Sequence, residues 1–194
     1  MKKTIENLTK AFIGESQARN RYSFYASAAK GEGYLQISKI FLETADNEKE
    51  HAKRLFKYIQ QLKKEENPAT HSIEVNVDAP LILGTTAENL KSAIEGEHHE
   101  TTVMYPEYAD VAEKEGYKDI AKTLRAIAVA EAHHEARYRA LLKEVENKSV
   151  FKKDVKTTWV CSNCGYIHEG TAPPDKCPAC NHAQMYFEVK SEVY

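Results

Sequence analysis

The sequence predicts a mainly α protein: a four-helix bundle with a long crossover between helices 2 and 3, followed by a small β-rich metal domain. Three observations predict it. Residues 1 to about 146 are rich in Ala, Glu, Lys and Leu, and their apolar positions recur at helical spacing. The segment "ENPATHSIEVNVDAPLILGTT" (66–86) breaks that period for long enough to run the length of a bundle. Beyond the linker the chain turns to Gly, Pro, aromatics and four cysteines, with no helical period.

The helices fall near 3–30, 34–64, 87–115 and 117–146. "KGEGY" (30–34) and the glycine of "EKEGY" (Gly116) are stop signals followed by short connections. Helices 1 and 2, and 3 and 4, are therefore predicted as antiparallel hairpins. Pro106 in "MYPEY" lies inside helix 3 and predicts a kink or local break there. The bundle thus occupies 1–146, a polar linker "NKSVFKKDVKTT" 147–158, and the tail 159–194. So short a tail buries too little core to stand without a metal or disulfides.

Bulk properties exclude several classes. The 194 residues carry a formal net charge of −2, so nothing electrostatic points to nucleic acid or an anionic membrane as partner. No apolar run approaches the ~18 residues of a membrane span. The opening "MKKTIENLTK" turns polar where a signal sequence would turn apolar, and the expected location is the cytoplasm. All four cysteines lie between 161 and 180, which in a cytosolic chain suggests a metal before disulfides.

The apolar stripe of each helix is broken near its middle by ionisable residues. Helix 4 runs Ile120, Leu124, Ile127, Glu131, His134, Tyr138, Leu141 and Val145; helix 2 runs Ile37, Phe41, Thr44, Glu48, His51, Leu55, Ile59 or Tyr58, and Leu62. Helix 1 passes through Leu8, Phe12, Glu15 and Tyr22, and helix 3 through Leu90, Ile94, Glu97, Glu100 or Thr101, and Met104. A weak internal repeat aligns them. "IGESQARNRY" and "EGEHHETTVMY" each place Gly-Glu seven or eight residues ahead of a Tyr, and each half then supplies Glu-x-x-His.

A lone Glu-x-x-His on a Glu-rich helix is more often a solvated face. Two of them, each on an apolar stripe and each preceded by a stripe Glu at matched offset, point to a shared site. Residues three apart share a helix face, so each pair can bind one metal or bridge two. Several unpaired carboxylates in a bundle core would cost several kcal/mol each. Two divalent cations would offset that charge, and carboxylates with only two imidazoles suit iron or manganese. This is the known ligand set of ferritin-like di-iron bundles. His98, His99 and His133 read as neighbours of the site or surface residues, and His71, His168 and His182 lie away from it. Tyr22 and Tyr105, about two turns from a ligand Glu, are core aromatics or hydrogen-bond donors to the site.

"CSNC" (161–164) and "CPAC" (177–180) form two C-x-x-C knuckles able to close one tetrahedral four-thiolate site. Zinc and iron both accept that set, and spacing does not choose. Nucleic-acid zinc ribbons usually bring basic residues; from Trp159 on there are only Lys176 and Lys190, against Glu169, Asp175, Glu188 and Glu192.

Over nearly its whole length the chain resembles the rubrerythrin family, on "GESQARNRY", "ETADNEKEHAKR", "GEHHE", "MYP", "AVAEAHHE" and "WVCSNCGYIHEG…CPAC". The resemblance implies a ferritin-like di-iron bundle joined to a rubredoxin-like domain. It implies di-iron ligands at Glu15, Glu48, His51, Glu97, Glu100, Glu131 and His134, with Glu100 and His51 exchanging as the cluster changes oxidation state. It implies one iron on Cys161, Cys164, Cys177 and Cys180. The twelve-residue insert between the knuckles is usual for that family. Asn181 stands where the first knuckle has Gly165, and Asn tolerates the left-handed backbone such a turn needs. The implied activity is reduction of hydrogen peroxide to water. With no G-x-G-x-x-G fingerprint here, an external NAD(P)H-linked reductase or a rubredoxin must supply electrons at the tail iron. A head-to-tail homodimer is implied as well. The alternative is a ferroxidase or iron-handling role.

Overall fold

The computed structural model describes residues 2–191. Five α-helices, α1 (Lys3–Gly31), α2 (Leu35–Glu66), α3 (Thr86–His99), α4 (Tyr105–Lys114) and α5 (Lys118–Glu146), are followed by strands β1 (Thr157–Cys161), β2 (Ile167–Gly170) and β3 (Phe187–Val189). The helices α3 and α4 are the predicted third helix, divided by a π-helical turn at Glu100–Met104. That turn is the break expected at Pro106. A proline ring collides with the carbonyl four residues back, and widening the preceding turn relieves the collision. The extra residue also explains the repeat: Tyr follows Glu by seven positions in α1 and by eight across the turn, yet both tyrosines are buried.

Each hairpin is closed in the same way. Gly33 and Gly116 adopt φ of 88° and 92°. Around them Tyr34 N–H reaches Ala29 O and Tyr117 N–H reaches Ala112 O, both at 2.8 Å, capping the preceding helix. The crossover from 67 to 85 has no regular structure and ends in a capping box between Thr85 and Glu88. It is held to the bundle by the Tyr25 hydroxyl, which donates to Ile82 O at 2.8 Å.

The bundle has two apolar clusters. One gathers Ile5, Leu8, Leu55, Leu62, Tyr105, Leu124 and Ile127; the other gathers Tyr22, Tyr25, Ile37, Phe41, Leu90 and Tyr138. Between them lies a layer of buried Glu15, Glu48, Glu97, Glu131 and His134. On helix 2, Tyr58 rather than Ile59 takes the buried position.

In the tail, β1 is central in an antiparallel sheet of order β2-β1-β3, with Trp159 opposite His168 and Cys161 opposite Phe187. Strand β1 begins two residues before the predicted tail. Trp159, Cys161, Cys177 and Phe187 form its small core, and the indole N–H donates to Gly170 O at 3.0 Å. The tail rests on α2 through the 3₁₀ turn at Gln184–Tyr186 and a Lys39–Glu188 ion pair of 3.1 Å. Glu192, counted among the tail's acidic residues, lies outside the described residues. Among the described residues no helix is long and apolar enough to cross a membrane.

Candidate metal centres

The stripes of α1, α2, α3 and α5 converge on two nests of potential ligand atoms. One holds Glu15, Glu48, His51 and Glu131; the other holds Glu48, Glu97, Glu131 and His134, and within each the atoms lie within 4.8 Å of one another. Glu48 and Glu131 belong to both. Glu48 turns Oε2 to His51 Nδ1 (3.0 Å) and Oε1 to His134 Nδ1 (3.2 Å). Glu131 mirrors it, with Oε1 at 2.9 Å from His51 and Oε2 at 2.8 Å from His134. Glu15 and Glu97 stand at the two ends, 3.7 Å from His51 and 3.6 Å from His134. The internal repeat of the sequence is thus a two-fold arrangement in space.

His51 Nδ1 and Glu48 Oε2 are within hydrogen-bond distance, but most of the converging atoms have no such partner. Glu15 Oε2, Glu48 Oε1, Glu97 Oε2, both Glu131 oxygens and His134 Nδ1 are buried with no hydrogen-bond partner. Such a cluster is costly by itself and suits paired divalent cations with oxygen and imidazole ligands. The electrostatics agree. Burial raises the Glu15 carboxyl well above its ordinary value and pushes Glu97 up to about 8. Burial opposes the His134 imidazolium, but Glu131, Glu48 and Glu97 together push it up to about 12. Glu48 also meets a burial penalty, which the two histidines overcome, lowering it to about 2.

Both tyrosines reach the site. The Tyr22 hydroxyl donates to Glu97 Oε1 at 2.6 Å, and the Tyr105 hydroxyl donates to Glu15 Oε1. Each bridges from its own half of the repeat to the other. Glu100, in the π turn, belongs to neither nest. It is part-exposed, and burial and then the Glu15 charge raise its carboxyl. Of the seven expected ligands only His51 and Glu100 are part-exposed. His98 is on the surface, paired with Glu135 at 3.1 Å, and His99 and His133 are exposed.

One contact has no sequence signal beyond adjacency to Glu48. His134 Nε2 lies 3.3 Å from Asn47 Oδ1. Donation there fixes the tautomer that leaves Nδ1 free to bind a metal.

In the tail the four sulfurs also lie within 4.8 Å of one another. Cys161–Cys180 and Cys164–Cys177 are 3.8 and 3.6 Å apart. Those are tetrahedral edges for ~2.3 Å metal–sulfur bonds, far from the ~2.05 Å of a disulfide. The knuckles are superposable in pattern: Gly165 N–H and Asn181 N–H each reach back to the first cysteine's carbonyl at 2.8 Å. Their φ values are 77° and 60°, so Asn181 does adopt the left-handed turn. The His182 amide stabilises the Cys180 thiolate, lowering it to about 6.

Comparison with known proteins finds family models for both parts of the chain. The family model for rubrerythrin matches residues 6–142, and that for the rubrerythrin rubredoxin-like domain matches 159–188. The chain belongs to the rubrerythrin family. It is 53% identical to rubrerythrin-1 of Clostridium acetobutylicum, over 99% of this chain and 96% of that one. It is 51% identical to rubrerythrin of Clostridium perfringens over the same shares. Among solved structures it is similar to the fully reduced, all-ferrous state of nigerythrin, with a TM-score of 0.64 and 30% identity over 96% of this chain and 86% of that one. As a member of this family of iron oxidoreductases, the chain has the side chains for a di-iron centre and for one iron on four cysteines.

Proposed function

We propose that the protein is a non-haem iron peroxidase that reduces hydrogen peroxide to water in defence against oxidative stress. The observation that carries this reading is the pair of nests sharing Glu48 and Glu131, in one chain with a four-thiolate site. Residues 1–146 and 159–194 are its two working units. Glu15, Glu48, His51, Glu97, Glu131 and His134 would hold two irons, Glu48 and Glu131 being common to both nests. Glu100 and His51, both part-exposed, would be the ligands that exchange. Iron held there would supply redox chemistry of two electrons per peroxide, and Cys161, Cys164, Cys177 and Cys180 would hold the iron that accepts electrons from a reductase or rubredoxin.

The chain's own groups do the rest. Burial, followed by the Glu97 charge for Tyr22 and the Glu15 charge for Tyr105, raises both phenols well above their ordinary value. Each therefore keeps its proton and remains a donor to its carboxylate, orienting Glu97 and Glu15 in the dry layer between the apolar clusters. The reaction consumes two protons and two electrons per peroxide and yields two waters. A head-to-tail homodimer in the cytoplasm, each tail beside the partner's bundle, completes the proposal.

The test is stoichiometric. Anaerobically reduced protein with full iron content would hold three electrons per chain, two at the di-iron site and one at the tail iron, and should consume about 1.5 equivalents of hydrogen peroxide per chain. A reductase-coupled assay should then oxidise one NAD(P)H per peroxide. Iron-replete reduced protein that leaves peroxide untouched would end this reading.

A further inference from the structure

The crossover roofs a cavity of about 650 Å³, walled by α1, α3 and the π turn. Of the seven expected ligands Glu100 lines it, whereas the groove between α1 and α2, lined by Phe12, Arg19, Lys53 and Phe56, touches none. Two further features face the cavity. The first is Arg21. Its Nε and Nη1 are buried with no hydrogen-bond partner among the described residues, and its guanidinium lies over the Tyr22 ring, 5.7 Å from the centroid. Arg21 as a whole is half-buried, but buried donor nitrogens left without an acceptor are costly unless something polar visits them.

The second is a pair of glycines related by the internal repeat, Gly14 and Gly96, each one residue before a site carboxylate. A methyl group on Gly14 would lie 4.0 Å from Glu100 Oε1, and one on Gly96 would lie 3.9 Å from Arg21 Nη2. Those are ordinary contact distances, so alanine would fit both positions. Glycine inside a helix is destabilising relative to alanine. What glycine gives here is free space between Arg21 and Glu100.

We propose that this cavity receives the small oxidant, and that Arg21 binds it there before it passes Glu100 into the di-iron site. The ligand class is a small hydrogen-bond acceptor, peroxide or a compact anion. The proposal rests on the peroxidase reading for the identity of the oxidant but not for the route. It is tested with azide as the probe, in full-length iron-loaded protein, by the visible band azide produces on binding the oxidised cluster. Arg21→Leu removes the donors, Gly14→Ala/Gly96→Ala narrows the passage, and Gly96→Leu fills it. Azide association should slow about ten-fold or more in Arg21→Leu, the scale of a lost hydrogen bond to a charged group. It should slow measurably in the double alanine variant, with iron content and the cysteine-iron spectrum unchanged. Arg19→Leu, in the α1/α2 groove, should leave it at the wild-type rate. If Gly96→Leu fails to load iron, the other two variants decide. Wild-type azide rates in iron-replete Arg21→Leu and double alanine protein overturn the proposal. Slowed azide in the variants, with no peroxide consumption by wild type, would uphold the route and remove the peroxidase reading.

Discussion

Tyr22 on α1 donates its hydroxyl proton to Glu97 on α3, 2.6 Å away, across the midline of the bundle. Tyr105 returns the relationship by donating to Glu15. The π turn makes this symmetry possible. It absorbs the one extra residue between Glu97 and Tyr105, so both rings face the same polar layer from opposite ends. Each tyrosine also belongs to one apolar cluster, so each ties a cluster to the site.

Tyr22→Phe should keep the fold and both metal sites, while leaving a buried Glu97 oxygen without its donor. A hydrogen bond to a charged group contributes about 1.5–3 kcal/mol, which sets the stability loss. The double variant Tyr22→Phe/Tyr105→Phe should lose peroxide turnover by more than either single change. Thermal unfolding of the three variants with matched iron content checks the first claim, and turnover the second. A Tyr22→Phe protein as stable as wild type would show that the bond is not maintained in solution.

Asn47→Leu should weaken binding at the His134 nest while sparing the other. Without Oδ1 the imidazole loses the acceptor that fixes its tautomer, and lost outer contacts of this kind cost about 10–100-fold in metal affinity. Titration with ferrous ion should resolve one weakened and one native site per chain. Two native affinities would remove Asn47 from the centre.

Stability of the metal-free chain should fall as pH rises from 5 to 8. Burial, with the neighbouring Glu48 and Glu131 charges, raises Glu97 to about 8 in the folded state. Below the ordinary carboxylate range it is protonated in both states. Above that range only the folded state keeps the proton, and the advantage is lost as pH passes about 8. His134, raised to about 12 by Glu131, Glu48 and Glu97 against burial, adds the same sign above its ordinary value near 6.5. Glu48, lowered to about 2 by the histidines against burial, contributes above the carboxylate range and loses this only in acid, outside this window. Metal binding at pH 7 should accordingly release protons, measurable in weak buffer. A metal-free melting temperature that is flat or rising from pH 5 to 8 contradicts this.

Glu15, Glu48, His51, Glu97, Glu131 and His134 were legible because an ionisable residue on an apolar stripe violates the pattern around it, and the violations repeat at matched offsets; Glu100 shared its stripe position with Thr101, and it lies outside both nests. Helix ends were legible for the same local reason, since "GEGY" and "KEGY" dictate their own caps. Three features were not. Which oxygen of Glu48 faces which histidine depends on how α2 and α5 rotate against each other, and no single stripe encodes that. The seven-versus-eight spacing ahead of Tyr22 and Tyr105 held the only trace of the π turn, and Pro106 alone predicts no more than a break. Asn47 and Arg21 look like ordinary surface residues of their helices, and their importance comes from neighbours on other helices.

At the second knuckle, Asn181→Gly should be neutral to mildly stabilising, because φ of 60° is already one that glycine adopts freely. Asn181→Val should be strained there and weaken the four-cysteine site. Cysteine-iron absorbance during denaturant titration would order the three proteins Gly ≥ Asn > Val. A valine variant equal to wild type would mean the turn can rearrange around the metal.

Each tail can serve its own bundle or its partner's. In the single chain the tail rests on α2 at Lys39, nine residues before Glu48 and so roughly 13 Å along the helix at 1.5 Å per residue. Contact with its own bundle therefore exists at the end of α2, not at the site, and a second chain is free to supply the nearer tail. Cys161→Ser should lose the four-cysteine iron spectrum while the bundle keeps its two irons, because the two sites share no ligand. Glu48→Ala should do the reverse, removing a carboxylate common to both nests. Each variant alone should lack reductase-coupled turnover. In a head-to-tail mixed dimer, the intact bundle of the Cys161→Ser chain faces the intact tail of the Glu48→Ala chain, and one of two electron paths returns. If each tail serves its own bundle, every path in that dimer stays broken. Isolated mixed dimers with correct metal counts should recover about half the wild-type turnover per dimer, one path out of two. Inactive mixed dimers would reject the head-to-tail arrangement and assign each tail to the bundle it already touches.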